Sequence, residues 1–239
     1  MQYIGVDGCR AGWFWVTLSD TRAWAIGLAP DAEALAALAA GARLMLIDVP
    51  IGLPDSGFAE RLCDREARAV LGRPRAASVF RVPARSVLQA PNYAAASQLN
   101  RRLTGAGVSR QTWGIAPKIR DIDRLLQARP ALREILRETH PEVCFWALNH
   151  ARAMRHNKKT AAGRRERLVM LRRFFPDVER LLEHAATRYL RKQVALDDIL
   201  DATVLAVTAK QGAGRYLILP ARPARDAAGL PMEMLYCTP

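Results

Sequence analysis

Residues 1–20, MQYIGVDGCRAGWFWVTLSD, decide the fold class. Tyr3, Ile4 and Val6 are β-formers that run into Asp7, just before a Gly-Cys-Arg-Ala-Gly turn, and Trp13 to Leu18 supply a second β-rich run. Two apolar runs joined by a short glycine-bearing connection predict an antiparallel hairpin. Asp7 stands at the tip of a strand otherwise built for burial, where a lone carboxylate is costly. It needs a partner charge, a metal or water, unless it is a turn aspartate bonding its own backbone beside Gly8.

Working outward, Ala23 to Ala29 (AWAIGLA) extends the hairpin to a three-stranded meander. Asp31 is placed to N-cap an Ala/Leu-rich helix that ends at Gly41. Arg43 to Val49 (RLMLIDV) is unbroken rather than alternating, the pattern of a strand buried on both faces, as in the middle of a parallel sheet. Meander, helix and buried strand together predict an α/β layered domain, with helices against a mixed sheet. From Gly52 to about Glu138 the chain leaves that core. A charge-dense helix is expected from Ala59 to Leu71, an irregular Arg/Pro-rich segment from Gly72 to Pro91, and helices at Tyr93–Leu103 and Asp121–Ala128, with a shorter one before Glu138. So long an excursion between strands reads as a helical insertion, about 52–138, in a single domain spanning 1–239. Thr139 to Leu148 (THPEVCFWAL) is expected as the next strand, followed by helices to about Leu190, the helix Leu196–Lys210 and a late strand Arg215–Leu219.

Composition narrows the class. The 239 residues are 50% hydrophobic and 25% charged, with no apolar run long enough for a transmembrane helix and no signal-peptide layout. Cys9, Cys63, Cys144 and Cys237 lie far apart without metal-finger spacing, as reduced packing thiols of a cytoplasmic protein do. Lys plus Arg is 36 against 23 acids, a net charge of +13 that favours phosphate-rich partners, DNA or RNA.

The acids at the ends of expected core elements form the candidate site: Asp7, Asp48, Glu142, Asp198 and Asp201. Each has a structural alternative: a turn former for Asp48, a salt-bridged strand start for Glu142, an N-cap and first-turn pair for Asp198 and Asp201. In LDDILDATVLAVTAK, however, Asp198 and Asp201 share one helix face at the margin of the buried stripe, and Ala202, Ala206 and Ala209 let that helix lie close to its support. Hard oxygen ligands without converging His or Cys imply Mg²⁺ or Mn²⁺ rather than Zn²⁺. Two such ions ~4 Å apart would activate water and stabilise a leaving oxygen.

Taken in order, GVDGCRAGW, IDVPIGLP, GRPRAASVFRVPAR, THPEV and DDILDA resemble an uncharacterised bacterial and archaeal family, domain of unknown function 429. That family is described as predicted nucleases of ribonuclease H-like fold, and DDILDATVLA is also similar to the terminal helix of Holliday junction resolvases. The resemblance implies a ribonuclease H-like mixed sheet, and a metal-dependent nuclease whose carboxylates fall on Asp7, Asp48, Glu142, Asp198 and Asp201. Enzymes of that fold usually need three or four, so one of the last three is expected to be structural.

Other features bear on substrate. Arg73, Arg75, Arg81 and Arg85, with Ser78 and Phe80, suit phosphate binding and base stacking, or form a solvated basic loop. The run from Arg152 to Arg173, including Arg164, Arg165 and Arg167, is either a phosphate path or a charged helix face. His140 is a candidate general acid or base, or a structural residue before Pro141. Gly5, Gly8 and Gly12 lead into a strand rather than a helix, which excludes the dinucleotide fingerprint. The rival functions are a non-catalytic nucleic-acid-binding protein on the same fold and an ATP-dependent phosphotransferase. The latter is disfavoured because it would need a second Asp-Gly phosphate hairpin.

Overall fold

The computed structural model describes residues 1–57 and 60–239. Strands β1 (Gln2–Cys9), β2 (Gly12–Ser19) and β3 (Trp24–Ala29) form the expected antiparallel meander. Helix α1 (Ala32–Ala39) follows, and the Asp31 carboxylate accepts the Ala34 amide at 2.9 Å as its N-cap. Its C-cap is Ala40 in right-handed geometry, so Gly41 merely follows the helix. Strand β4 (Ala42–Ile47) then returns parallel to β1. Between β4 and its parallel neighbour β5 (Leu136–Glu138) lie α2 (Leu62–Leu71), α3 (Tyr93–Thr104), α4 (Arg110–Ala128) and three short 3-10 turns. The expected start of α2 at Ala59 lies outside the described residues. Helix α4 begins well before the expected Asp121, because Pro117 is carried inside it rather than ending it.

Downstream are α5 (Pro141–Leu148), α6 (Ala161–Arg172), α7 (Val178–Arg188) and α8 (Leu196–Gln211). A separate two-stranded antiparallel sheet closes the chain, from β6 (Leu217–Leu219) and β7 (Met234–Tyr236). The expectation of a strand over Thr139–Leu148 is corrected here: the strand is β5, three residues earlier, and Pro141–Leu148 is a helix. His140 N-caps it and Pro141 takes its first turn, where proline's missing N–H costs nothing. The run lacks a polar face because almost every side of α5 is buried.

Among the described residues the main sheet has five strands in the order β3-β2-β1-β4-β5. This mixed α/β arrangement is compatible with the ribonuclease H-like fold. Period-two alternation splits the strands between two cores. Tyr3, Phe14, Val16, Leu44 and Leu46 pack with residues of α5 to α8. Ile4, Val6, Met45 and Ile47 pack on the other side with α1 and α4.

Gly5 governs how close α8 approaches. A Cβ on Gly5 would overlap the Ala202 carbonyl oxygen and the Ala206 nitrogen, so the helix backbone lies directly on β1. Gly5→Ala is therefore expected to destabilise by about 1–3 kcal/mol, at the upper end because helix backbone must move. Gly41→Ala, with open space around the new methyl, serves as the neutral control. Urea unfolding of the two variants checks this: equal midpoints would mean that α8 does not rest on Gly5.

Candidate active site

The parallel strands β1, β4 and β5 end side by side. The Asp48 amide donates to the Val6 carbonyl (3.0 Å), and the Thr139 amide to the Ile47 carbonyl (3.1 Å), carrying both ladders one residue further. Asp7, Asp48 and the His140–Glu142 start of α5 thus gather at the carboxyl ends of adjacent strands, where open α/β sheets form their crevices. Asp7 shares the face of Gly5, and Asp48 that of Leu44 and Leu46, so both side chains lie on the α8 side. Asp201 precedes Ala202 at the Gly5 contact and is 1% exposed, which brings a third carboxylate from α8 to the same place.

The cleft above encloses about 790 Å³ together with the solvent at its mouth. Asp7, Asp48, Glu142 and Lys158 line it, with Ser78, Phe80 and His140 on one side and Gln111, Ile115 and Lys118 of α4 on another. The insertion therefore builds most of the walls, and the sheet builds the acidic floor.

Burial and mutual repulsion govern the floor. Burial raises the Asp7 carboxyl well above the usual range, and the Asp48 and Asp201 carboxylates raise it further. Asp48 is raised by burial, which His140 and Lys158 oppose. Asp201 is pushed up to about 6 by burial, against the pull of Lys158. The Lys158 ammonium donates to Asp201 Oδ2 at 2.5 Å, while Asp201 Oδ1 is buried without a partner. Burial would lower the Lys158 ammonium, but Asp201 and Asp7 outweigh it and hold the charge on. Across the cleft Lys118 lies 4.5 Å from the Trp13 ring centroid and donates to the Gly12 carbonyl at 2.5 Å.

The remaining candidates divide. Glu142 is buried in the first turn of α5, and its Oε1 pairs with the fully buried Arg167, while Oε2 has no partner. Asp198 accepts the Ala195 amide at 2.8 Å, which makes it a capping residue beside the cluster. The Glu142 amide donates to His140 Nδ1 (3.2 Å), leaving Nε2 as the protonated nitrogen, 3.4 Å from the Ser78 carbonyl.

Of the basic residues, Arg85 is held by Asp123 and Asp226 in a structural ion cluster, and Arg73 is exposed. Arg75 reaches the His156 carbonyl at 3.4 Å. Arg164 is exposed and donates to the Lys159 carbonyl (2.8 Å), and Arg165 lines a separate open groove with Met154 and Arg173. Arg167, grouped with them as a phosphate contact, is instead interior. Sequence reasoning singled out neither Lys158 nor Lys118. One signal was available: only five of the 36 basic residues are lysine, and two of those five line this cleft.

What the floor can do chemically follows from its charge. Three carboxylates face one ammonium, a surplus that suits a hard cation. Among the described residues, however, no group of three or more His, Cys, Asp or Glu ligands already stands at metal-binding distances. The donor chemistry fits Mg²⁺ or Mn²⁺, and the orphaned Asp201 Oδ1 fits a missing cation partner. Lys158 is the cation that stands there.

Raised carboxyl pKa values set the sign of a stability test. Between the ordinary aspartate value, about 4, and the folded-state values, the native chain binds more protons than the unfolded one. Stability therefore falls as pH rises through about 6 for Asp201 and stays reduced above it. Asp7→Asn is expected to raise stability at pH 7.5, because burial and the neighbouring carboxylates hold the Asp7 carboxyl well above its ordinary value and an amide carries no charge to desolvate. The gain should fade near pH 4, as melts in EDTA across pH will show. A gain that is independent of pH would mean that Asp7 is not ionised against its neighbours.

Neither the curated proteins nor the solved structures give a match to this chain. A family model does, over residues 5–225, which takes in all five acids and every wall of the cleft: the chain belongs to the family described as protein of unknown function (DUF429).

Proposed function

We propose that this chain is a Mg²⁺- or Mn²⁺-dependent phosphodiesterase acting on nucleic acid. The observation that supports the reading is the meeting of Asp7 and Asp48, from β1 and β4, at the floor of one cleft with Asp201 of α8 buried beside them, their carboxyls raised by burial and by neighbouring carboxylates. Such a floor costs stability, and buried, mutually repelling carboxylates in a cleft point to a ligand that neutralises them.

Asp7, Asp48 and Asp201 would hold the cation, which would supply Lewis acidity toward a water nucleophile and the leaving oxygen. The chain's own residues do the rest. Asp7, Asp48 and Asp201 hold their oxygens in place through strand and helix backbone. Lys118, with its ammonium fixed between Trp13 and the Gly12 carbonyl, faces a substrate phosphate from α4. Phe80 offers an apolar face on which a base stacks. His140, with Nδ1 engaged as the cap of α5, lines the cleft and turns Nε2–H toward the Ser78 carbonyl, a long contact (3.4 Å) that a substrate acceptor could replace. Arg73, Arg164 and Arg165 are exposed and available to phosphates further along a strand. The cytoplasmic setting expected from the composition belongs to the same proposal. Among the described residues no helix is long and apolar enough to cross a membrane.

The test is hydrolysis of single-stranded, duplex, hybrid and branched substrates with and without Mg²⁺ or Mn²⁺. The wild type is expected to cleave at least one class only with metal. Asp7→Asn and Asp48→Asn are expected to lose at least 10²-fold in rate while binding the same substrate as tightly or more tightly, because anionic repulsion falls. Salt-dependent binding with no cleavage of any substrate would instead favour the non-catalytic binding protein.

A further inference from the structure

The connection between α5 and α6 carries Lys158 to the carboxylate floor, and its backbone is anchored on both sides. Glu166 accepts the amides of Arg155 and His156 at 2.9 and 3.0 Å. The His156 carbonyl accepts from the buried Arg167 at 3.1 Å, and the Asn157 carbonyl from the Thr160 amide at 2.9 Å. Gly163 lies so close beneath that a Cβ there would overlap the Asn157 carbonyl. Arg167 is itself held by Glu142. A fully buried ion pair thus fixes the platform from which Lys158 projects. Of the lysine side chain's surface, 35% is in contact with solvent.

We propose that Lys158 is the resident counter-ion of the carboxylate site: its ammonium takes the place of a divalent cation among Asp7, Asp48 and Asp201, and gives it up by side-chain rotation when the cation enters. The inference rests on the divalent-cation reading above. The ammonium sits on Asp201 Oδ2, and the second oxygen of that carboxylate is buried with no partner. One positive charge among three negative ones neutralises the floor only in part, which leaves room for a doubly charged ion to win. Lysine suits the exchange better than arginine. Its charge is a compact point on a flexible stem, whereas a guanidinium fork locks bidentately onto a carboxylate.

The experiment measures metal binding and folding, with no dependence on turnover. Mn²⁺ titrations by calorimetry, and melts in EDTA, compare the wild type with Lys158→Met, which keeps the stem and loses the charge, and with Lys158→Arg, which keeps the charge. Lys158→Met is expected to bind Mn²⁺ at least tenfold more tightly and to melt lower in EDTA. Adding Asp201→Asn to it should recover the lost melting temperature in EDTA. Lys158→Arg should stay at or below wild-type affinity, so a poorly folding methionine variant does not remove the test. Mn²⁺ binding that Lys158→Met leaves unchanged or weakens would overturn the counter-ion role and leave the cation reading intact. No Mn²⁺ binding by wild type or either variant would overturn both. A melt in EDTA unaffected by loss of the charge would show that Lys158 does not neutralise the floor.

Discussion

The close seating of α8 on β1 is the constraint on which the rest depends. Where β1 has Gly5 and α8 has Ala202 and Ala206, strand and helix backbones come together with no side chain between them. That approach fixes the helix along its axis as well as in distance, because a shift of one turn would bring Asp198 or Lys210 to the strand in place of an alanine. The register places Asp201 opposite the end of β1, two residues beyond Gly5, where Asp7 lies. A looser packing, mediated by larger side chains, would stabilise the core equally well by apolar burial. It would not bring these two carboxylates together.

A second regularity runs through the buried charges. Carboxylates that stabilise the fold are paired with arginine: Asp64 and Glu138 with Arg61, Glu142 with Arg167, Asp123 and Asp226 with Arg85, Glu233 with Arg137. Arg61 spends its guanidinium on both partners and on the Ile51 and Gly52 carbonyls. These pairs are hydrogen-bonded and specify how loops dock, at a desolvation cost their geometry offsets. Asp7, Asp48 and Asp201, by contrast, form no ion pair with an arginine among the described residues, and Asp201 is paired with Lys158. Arg61, Arg85, Arg137 and Arg167 face six carboxylates, so the interior clusters contribute nothing positive to the net charge of +13. The positive excess is carried by the other basic residues, and a phosphate-binding surface has to be sought among those that are exposed.

Much of this was legible in the sequence, and the exceptions have physical causes. The alternation in β1 and β2 and the unbroken run in β4 announce a sheet with cores on both faces, and small residues in α8 announce its close approach. Asp7 and Asp48 announced themselves as acids at the ends of buried strands. THPEVCFWAL misled because a helix buried all round has no polar stripe, and its Val, Cys, Phe and Trp carry β propensity; the signal for a helix was His-Pro as cap and first residue. The Arg167–Glu142 pair hid inside a charge run, since a sequence does not say which member of such a run turns inward. The clamp of Arg85 on Asp226 joins residues 141 apart, and no local pattern encodes a contact of that span.

The division of labour between sheet and insertion follows from the same facts. Rigid elements of the core, β1, β4 and α8, hold the carboxylates, and a reaction centre built on them is positioned by backbone hydrogen bonds rather than by loops. The walls come from the excursion between β4 and β5: Phe80 and Ser78 from its irregular part, Gln111, Ile115 and Lys118 from α4. Parallel neighbours need a crossover connection in any case, and here that obligatory connection is expanded into the surface a substrate would meet first. Changes in the insertion can therefore alter what enters the cleft without disturbing the acids. Changes at Gly5, Ala202 or Ala206 would alter the spacing of the acids while leaving the walls in place. The carboxylates and the cleft walls are thus carried by different parts of the chain, and α4, which packs on the core through Ile119 and Ile122 while Lys118 faces the cleft, joins the two.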